Sequence, residues 1–159
     1  MSKIALFAGS FDPVTKGHAD IIKRAAAVFD KVYVTVFVNS VKNPMFTVEQ
    51  RREMLDIACR GCDNVITDAY EGLLTDYAEE KDVSVIIRGI RNANDLSYEF
   101  ELCEVYRNLA PDIDVFLIPS KPEYVNTNAT IIREMLKYGK DITPYVLPEV
   151  AEYIEKALK

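Results

Sequence analysis

Basic residues are the minority charge in this chain. Nineteen lysines and arginines stand against 25 aspartates and glutamates, leaving a net charge of −6 at pH 7. Broad electrostatic binding to DNA or RNA needs a basic face, so nucleic acid is not an expected partner. Long apolar runs are missing as well. The longest apolar-rich stretch, VYVTVFV at 32–38, falls far short of the roughly 20 residues that a membrane-spanning helix requires. No basic segment followed by an apolar core opens the sequence, so neither a membrane partner nor a signal peptide is expected. Cysteine is scarce: Cys59, Cys62 and Cys103. An odd count without an export signal argues against a disulfide framework. The C-x-x-C formed by Cys59 and Cys62 lacks a second ligand pair and a helix-start placement, so helix packing is its expected role. A cytoplasmic protein is expected. There is no Walker-type glycine-lysine loop and no G-x-G-x-x-G, which removes the motif basis for kinase and dinucleotide readings.

What is present is the make-up of an ordinary globular domain: 159 residues, 49% apolar and 28% charged. One domain over 1–159 is expected, long enough to bury a core without disulfides. There is no internal repeat, low-complexity segment or linker. Apolar, β-rich runs at 3–8, 31–39, 64–69, 83–88 and 113–119 alternate with helical patterns at 17–29, 48–60, 72–81, 95–109, 129–138 and 148–158. Ile21, Ile22, Ala25, Ala26 and Phe29 share one helical face. Thr47 with Gln50 is a capping-box pattern, Asn128 or Thr127 is placed to cap the fifth helix, and Pro148 suits the first turn of the last. Several strands are near-continuous apolar runs, as parallel strands covered on both faces require. The expected fold is α/β: a doubly wound, parallel five-stranded sheet with helices on both faces. Ligands in such folds sit outside the carboxyl ends of the strands.

The segments that follow the strands carry the chemistry. GSFDPVTKGH at 9–18 holds Ser10 and the chain's single histidine, His18. Thr15 is a plausible N-cap, which puts Gly17 and His18 in a first helical turn, where unpaired N–H groups and the helix dipole favour phosphate. Lys42 lies in the loop after the second strand. RGIRNAND follows the fourth, with Arg88 at the strand end and Arg91 beyond it. Guanidinium groups grip phosphate oxygens in a fixed fork, and a charge ending an apolar strand needs a partner. After the fifth strand, PSKPEYVNTNATIIRE leads into another helix start. Four post-strand loops thus offer phosphate-binding groups to one sheet edge.

Taken together, GSFDPVTKGH, KNPMFTVEQR, GLL at 72–74, RGIRNANDLSYE, LIPS and the loop before IIRE resemble the phosphopantetheine adenylyltransferase family. That family belongs to the nucleotidylyltransferases with an H/T-x-G-H motif. Thr15 to His18 marks the wider group; Arg88 to Glu99 and KNPMFT are more specific. The resemblance covers nearly the whole chain and implies a Rossmann-like fold and a reaction. ATP and 4′-phosphopantetheine give dephospho-coenzyme A and pyrophosphate, reversibly, with Mg²⁺, and the enzyme is a homohexamer. It implies that His18 stabilises the transition state and that Ser10, Phe11, His18, Gly89, Ile90, Arg91, Glu99 and the stretch Tyr124, Val125, Asn126, Thr127, Asn128, Ala129 and Thr130 contact ATP. Ser10, Lys42, Leu74 and Arg88 match positions that hold phosphopantetheine. The residues that would meet the metal stay unassigned.

Two residues depart from the family pattern. Ala129 lacks a hydroxyl of the usual serine run, which leaves backbone N–H groups and Thr130 to carry more of the phosphate binding. Tyr106 stands where many members have an asparagine facing the pantetheine arm. The rival readings are a relative that uses another acceptor, such as nicotinamide mononucleotide, and a flavodoxin-like signalling receiver. The receiver would need an acidic pair after the first strand, where this chain reads FAGSFD.

Overall fold

The structure is a computed structural model that describes residues 2–38 and 43–159. The chain alternates strands and helices: β1 (Ile4–Gly9), α1 (Lys16–Ala26), β2 (Lys31–Phe37), α2 (Val48–Ala58), β3 (Val65–Tyr70), α3 (Leu74–Glu80), β4 (Val85–Ile90), α4 (Ala93–Leu109), β5 (Asp114–Pro119), a 3₁₀ turn (Pro122–Tyr124), α5 (Ala129–Lys137) and α6 (Pro148–Ala157). The strands form one parallel sheet in the order β3-β2-β1-β4-β5. This is the doubly wound α/β, Rossmann-like sheet that the alternation predicts.

Successive strand residues point to opposite faces, and each face meets its own helices. Ala5, Phe7, Val85 and Ile87 join a core with Ile22 of α1, Leu55 of α2, Ile132 of α5 and Ile154 of α6. Leu6, Ala8 and Ile86 face the other layer, with Tyr77 of α3 and Tyr106 of α4. Burial on both faces is why these strands read as unbroken apolar runs. Cys59 is buried at the end of α2, and all three cysteines are free thiols. Burial pushes the Cys59 thiol up to about 12, so it is an inert packing group. Among the described residues, no helix is long and apolar enough to cross a membrane.

The ends of the elements differ from those the sequence predicts. β4 begins at Val85, so Arg88 lies inside the strand and Gly89 and Ile90 complete it. The predicted end of β2 at 39 lies outside the described residues. α1 stops at Ala26 because the chain turns there: the N–H groups of both Val28 and Phe29 bond to Ala25 O, which delivers Phe29 into the core. The turn at Pro122–Tyr124 has no counterpart in the sequence reading.

The sheet order sets the site. β1 has β2 on one side and β4 on the other, so consecutive connections leave in opposite directions and a crevice opens beyond their carboxyl ends. The loop leaving β1 is fixed there by buried polar groups. Asp12 accepts N–H bonds from Met45 (2.9 Å) and Phe46 (3.0 Å). Arg51 donates to Ser10 O at 3.0 Å and Arg133 to Asp12 O at 2.7 Å. Phe11, with φ of 46°, packs its ring edge-on against Phe7 and His18.

Candidate active site

A cavity of about 550 Å³ occupies this crevice, a size suited to a nucleotide-sized ligand. α1 and α5 both start at it, so the positive ends of two helix dipoles face the same space. Gly89 gives it a bare backbone floor, since a Cβ there would lie 2.6 Å from Ile21 Cδ1.

His18 sits at the third position of α1 and closes a capping box. Its backbone N–H donates to Thr15 Oγ1 at 3.2 Å, and the Thr15 backbone N–H donates to His18 Nδ1 at 3.1 Å. A backbone amide can only donate, so Nδ1 is the unprotonated nitrogen and the ring proton belongs to Nε2. Burial, and secondarily the positive charge of Arg91, depress the His18 pKa from 6.5 to about 4. At neutral pH the ring is therefore an uncharged donor. The ring is only half-buried and lines the open cavity.

Arg88 and Glu99 form a side-on bidentate pair, Nε to Oε2 at 2.8 Å and Nη2 to Oε1 at 3.0 Å. Glu99 is the more deeply buried partner, with 6% of its side chain exposed. The Nη1 hydrogens have no protein acceptor among the described residues, so one edge of the guanidinium is left to meet an anion. Arg91 repeats the device with Asp95: Nε donates to Oδ2 at 3.0 Å, the backbone N–H reaches the same oxygen at 3.0 Å, and Nη1 approaches Thr127 O at 3.5 Å. The charge that the sequence leaves at the end of an apolar strand thus has its partner one helix away.

The cavity brings together Ser10, Phe11, His18, Leu74, Arg88, Gly89, Arg91, Glu99, Tyr124, Thr127, Asn128 and Ala129. It does not include Ile90, Val125, Asn126 or Thr130 in its walls. Lys42 lies outside the described residues. Thr130 differs from the expectation that it compensates for Ala129: its N–H is taken by Asn128 Oδ1 at 2.8 Å, and its hydroxyl accepts from Arg133 at 3.1 Å. At the start of α5 the cavity is lined by Asn128 and Ala129 instead. Tyr106, on the buried face of α4, lines a neighbouring apolar groove that shares Phe37 and Leu74 with the cavity.

The lining residues that escaped the sequence reading of the site include Phe37, Asp95, Tyr98 and Ser120. Asp95 and Glu99 are one helical turn apart with Tyr98 between them, so helical spacing from Glu99 could have found the first two. Ser120 directly follows β5 and could have been found from its place at a strand end. Nothing local marks Phe37.

Residues 6–135 match the cytidylyltransferase-like family. Two solved structures share the fold over almost the whole chain. One is a Vibrio parahaemolyticus protein assigned as a nicotinate-nucleotide adenylyltransferase: 24% identity, TM-score 0.72, covering 98% of this chain and 93% of that one. The other is the Plasmodium falciparum nicotinic acid mononucleotide adenylyltransferase complexed with APC: 15% identity, TM-score 0.70, covering 99% and 96%.

Proposed function

The chain belongs to the cytidylyltransferase-like family, and from that premise we propose that it transfers an adenylyl group from ATP to 4′-phosphopantetheine. The products are dephospho-coenzyme A and pyrophosphate, and the reaction is reversible and serves coenzyme A synthesis in the cytoplasm. The observation that carries this reading is the asymmetry of this cavity. One side offers helix starts and the His18 Nε2 donor. The other offers the Arg88 edge next to the apolar walls of Leu74 and Phe37. That second half suits a phosphate on a flexible, partly apolar arm better than a second nucleotide base.

The chemistry needs no general base. The acceptor phosphate is a monoester with a second pKa of about 6, so most of it is dianionic at pH 7. One of its oxygens attacks the α-phosphorus of ATP, a new P–O bond forms, and the bond from the α-phosphorus to the bridging oxygen breaks to release pyrophosphate. The protein's part is alignment and charge stabilisation. Arg88 holds the acceptor phosphate, oriented by Glu99. Ser10 and the starts of α1 and α5 hold the triphosphate, and His18 Nε2–H donates to an α-phosphate oxygen as charge builds there.

Mg²⁺ belongs to this proposal as the ion carried by the triphosphate. Among the described residues no three His, Cys, Asp or Glu side chains converge to hold a metal. The carboxylates lining the cavity, Asp95 and Glu99, are engaged by arginines. A donor set of that kind fits an ion bound chiefly through substrate phosphates, the usual habit of Mg²⁺.

A second reading is a pyridine mononucleotide acceptor, nicotinamide mononucleotide or its acid form; the names of the two structural neighbours favour the acid, nicotinic acid mononucleotide. Pyrophosphate release with ATP and Mg²⁺, compared across the three acceptors, separates the two. Turnover with phosphopantetheine alone supports the first; turnover with a pyridine mononucleotide alone replaces it by the second.

A further inference from the structure

One wall of the cavity has little architecture of its own. Residues 120–128 run from the end of β5 through the 3₁₀ turn to the cap of α5, and Tyr124, Thr127 and Asn128 face the cavity. Inside this segment the backbone bonds are short-range, Tyr124 N–H to Lys121 O and Thr127 N–H to Tyr124 O, each at 2.9 Å. Such bonds shape the segment; its backbone ties to the sheet side are the Ser120 N–H to Ile90 O bond at 2.8 Å, at its very start, and the long Arg91 Nη1 to Thr127 O contact at 3.5 Å.

What ties it to α1 is a carboxylate on that helix. Asp20, two residues after His18, is buried at 8% exposure. Its Oδ1 lies 2.6 Å from Lys121 Nζ, and its Oδ2 accepts from Arg24 Nη1 at 3.2 Å. The same Arg24 nitrogen donates to Pro119 O at 2.8 Å. One buried carboxylate thus ties the helix that carries His18 to residues on both sides of Ser120. Arg24, at i+4 on the same helix, is a partner that Asp20 would have in any helix. Lys121 is the contact that this arrangement adds, and its consequence is the position of the wall. The Asp20 carboxylate, by hydrogen bond and by charge, raises the Lys121 pKa, so the ammonium stays charged at neutral pH.

We infer that Asp20 and Lys121 form a positioning clamp that sets the 120–128 wall against α1, with Arg24 as its brace. This rests on reading the cavity as a nucleotide site. Neither residue touches the reacting atoms. Their effect is on where Tyr124, Thr127 and Asn128 stand relative to His18, and small displacements of positioning groups are costly in a site that works by alignment.

The test compares the full-length protein with Asp20→Asn, Lys121→Met, the double variant and Lys121→Arg. Steady-state kinetics, thermal midpoint and amide hydrogen exchange over 119–128 are read for each. The clamp predicts that each single variant raises the KM for ATP about threefold to tenfold. The KM for the acceptor and the thermal midpoint should change little, and exchange over 119–128 should speed up. The double variant should look like either single one, because both remove the same contact, and Lys121→Arg should restore ATP binding. Unchanged ATP KM with unchanged exchange would overturn the inference, as would additive effects or a shift confined to the acceptor. Lys121 is half exposed, so Lys121→Met keeps the test open if Asp20→Asn fails to fold. If the unmodified protein transfers no adenylyl group to any acceptor, the proposed function fails. Exchange over 119–128 in Lys121→Met then still decides the clamp.

Discussion

Acidification tests the state assigned to His18. The ring is held by a backbone N–H on Nδ1, half-buried beside Phe7 and Phe11, and faced by the positive charge of Arg91. With a pKa of about 4, the ring is roughly 9% protonated at pH 5, whereas an unperturbed histidine of pKa 6.5 is roughly 97% protonated. Because the chain has a single histidine, a ¹⁵N-histidine spectrum contains one pair of ring resonances. The prediction is a proton on Nε2, a bare Nδ1, and no titration between pH 8 and 5. The linked stability has a definite sign. The unfolded ring takes up a proton near pH 6.5 and the folded ring near 4, so between these values the unfolded state binds more protons. Stability from this group is fully present above pH 6.5 and falls as the pH drops toward 4. The bound is about 3 kcal/mol, and water in the cavity makes the true loss smaller. A ring that titrates near 6.5, or carries its proton on Nδ1, would refute both the capping-box account and the assignment of Nε2–H as the donor.

Loss of the donor itself is a kinetic matter. His18→Ala is expected to lower kcat by about 10²–10³-fold with little change in ATP affinity, the usual cost of one transition-state donor, and near-normal turnover would remove His18 from the mechanism. Arg88→Ala and Lys42→Ala are expected to raise the KM for the phosphate acceptor more than that for ATP; the reverse pattern would mean that the two substrates are exchanged. Arg88→Ala also strands the buried Glu99 carboxylate, so it should lose about 3–5 kcal/mol in denaturant unfolding, and Glu99→Gln in the same background should recover part of it. Assembly is predicted from α4. It buries only Glu99 and Tyr106 fully, while Tyr98, Phe100, Val105 and Leu109 are each about half exposed. So much open apolar surface on one helix is expected to lie against other copies of the chain. Light scattering should give six times the 18.0 kDa chain mass, and a monomer alone would defeat this.

The sheet was legible because burial on both faces writes itself into the sequence: KVYVTVF reads as a covered strand before anything else is known. Helix starts were legible where the cap used familiar partners. Thr47 with Gln50 reads as a capping box and is one. Thr15 with His18 is the same device with an imidazole in place of the amide, and it reads only as a cap near a histidine, so the tautomer stayed hidden. Loops at strand ends pointed to the site through Ser10, His18, Arg88 and Arg91. What did not show were the long-range polar contacts that shape it. Asp12 reaches Met45 and Phe46 across more than thirty residues, and Arg88 finds Glu99 from a different element. Asp20 on α1 meets Lys121 beyond β5. None of these pairs has a sequence period. Each depends on how strands and helices register in three dimensions, which also decides that Thr130 turns toward Arg133 while Ala129 lines the cavity.

The central claim, adenylyl transfer between ATP and 4′-phosphopantetheine at this cavity, is tested most directly in reverse. Purified protein is given pyrophosphate, Mg²⁺ and dephospho-coenzyme A, and ATP formation is followed with coupled luciferase. A parallel reaction contains deamido-NAD or NAD in place of dephospho-coenzyme A. The account predicts ATP from dephospho-coenzyme A, abolished to within about 1% by His18→Ala, and none from the dinucleotides. ATP from a dinucleotide and not from dephospho-coenzyme A would contradict it.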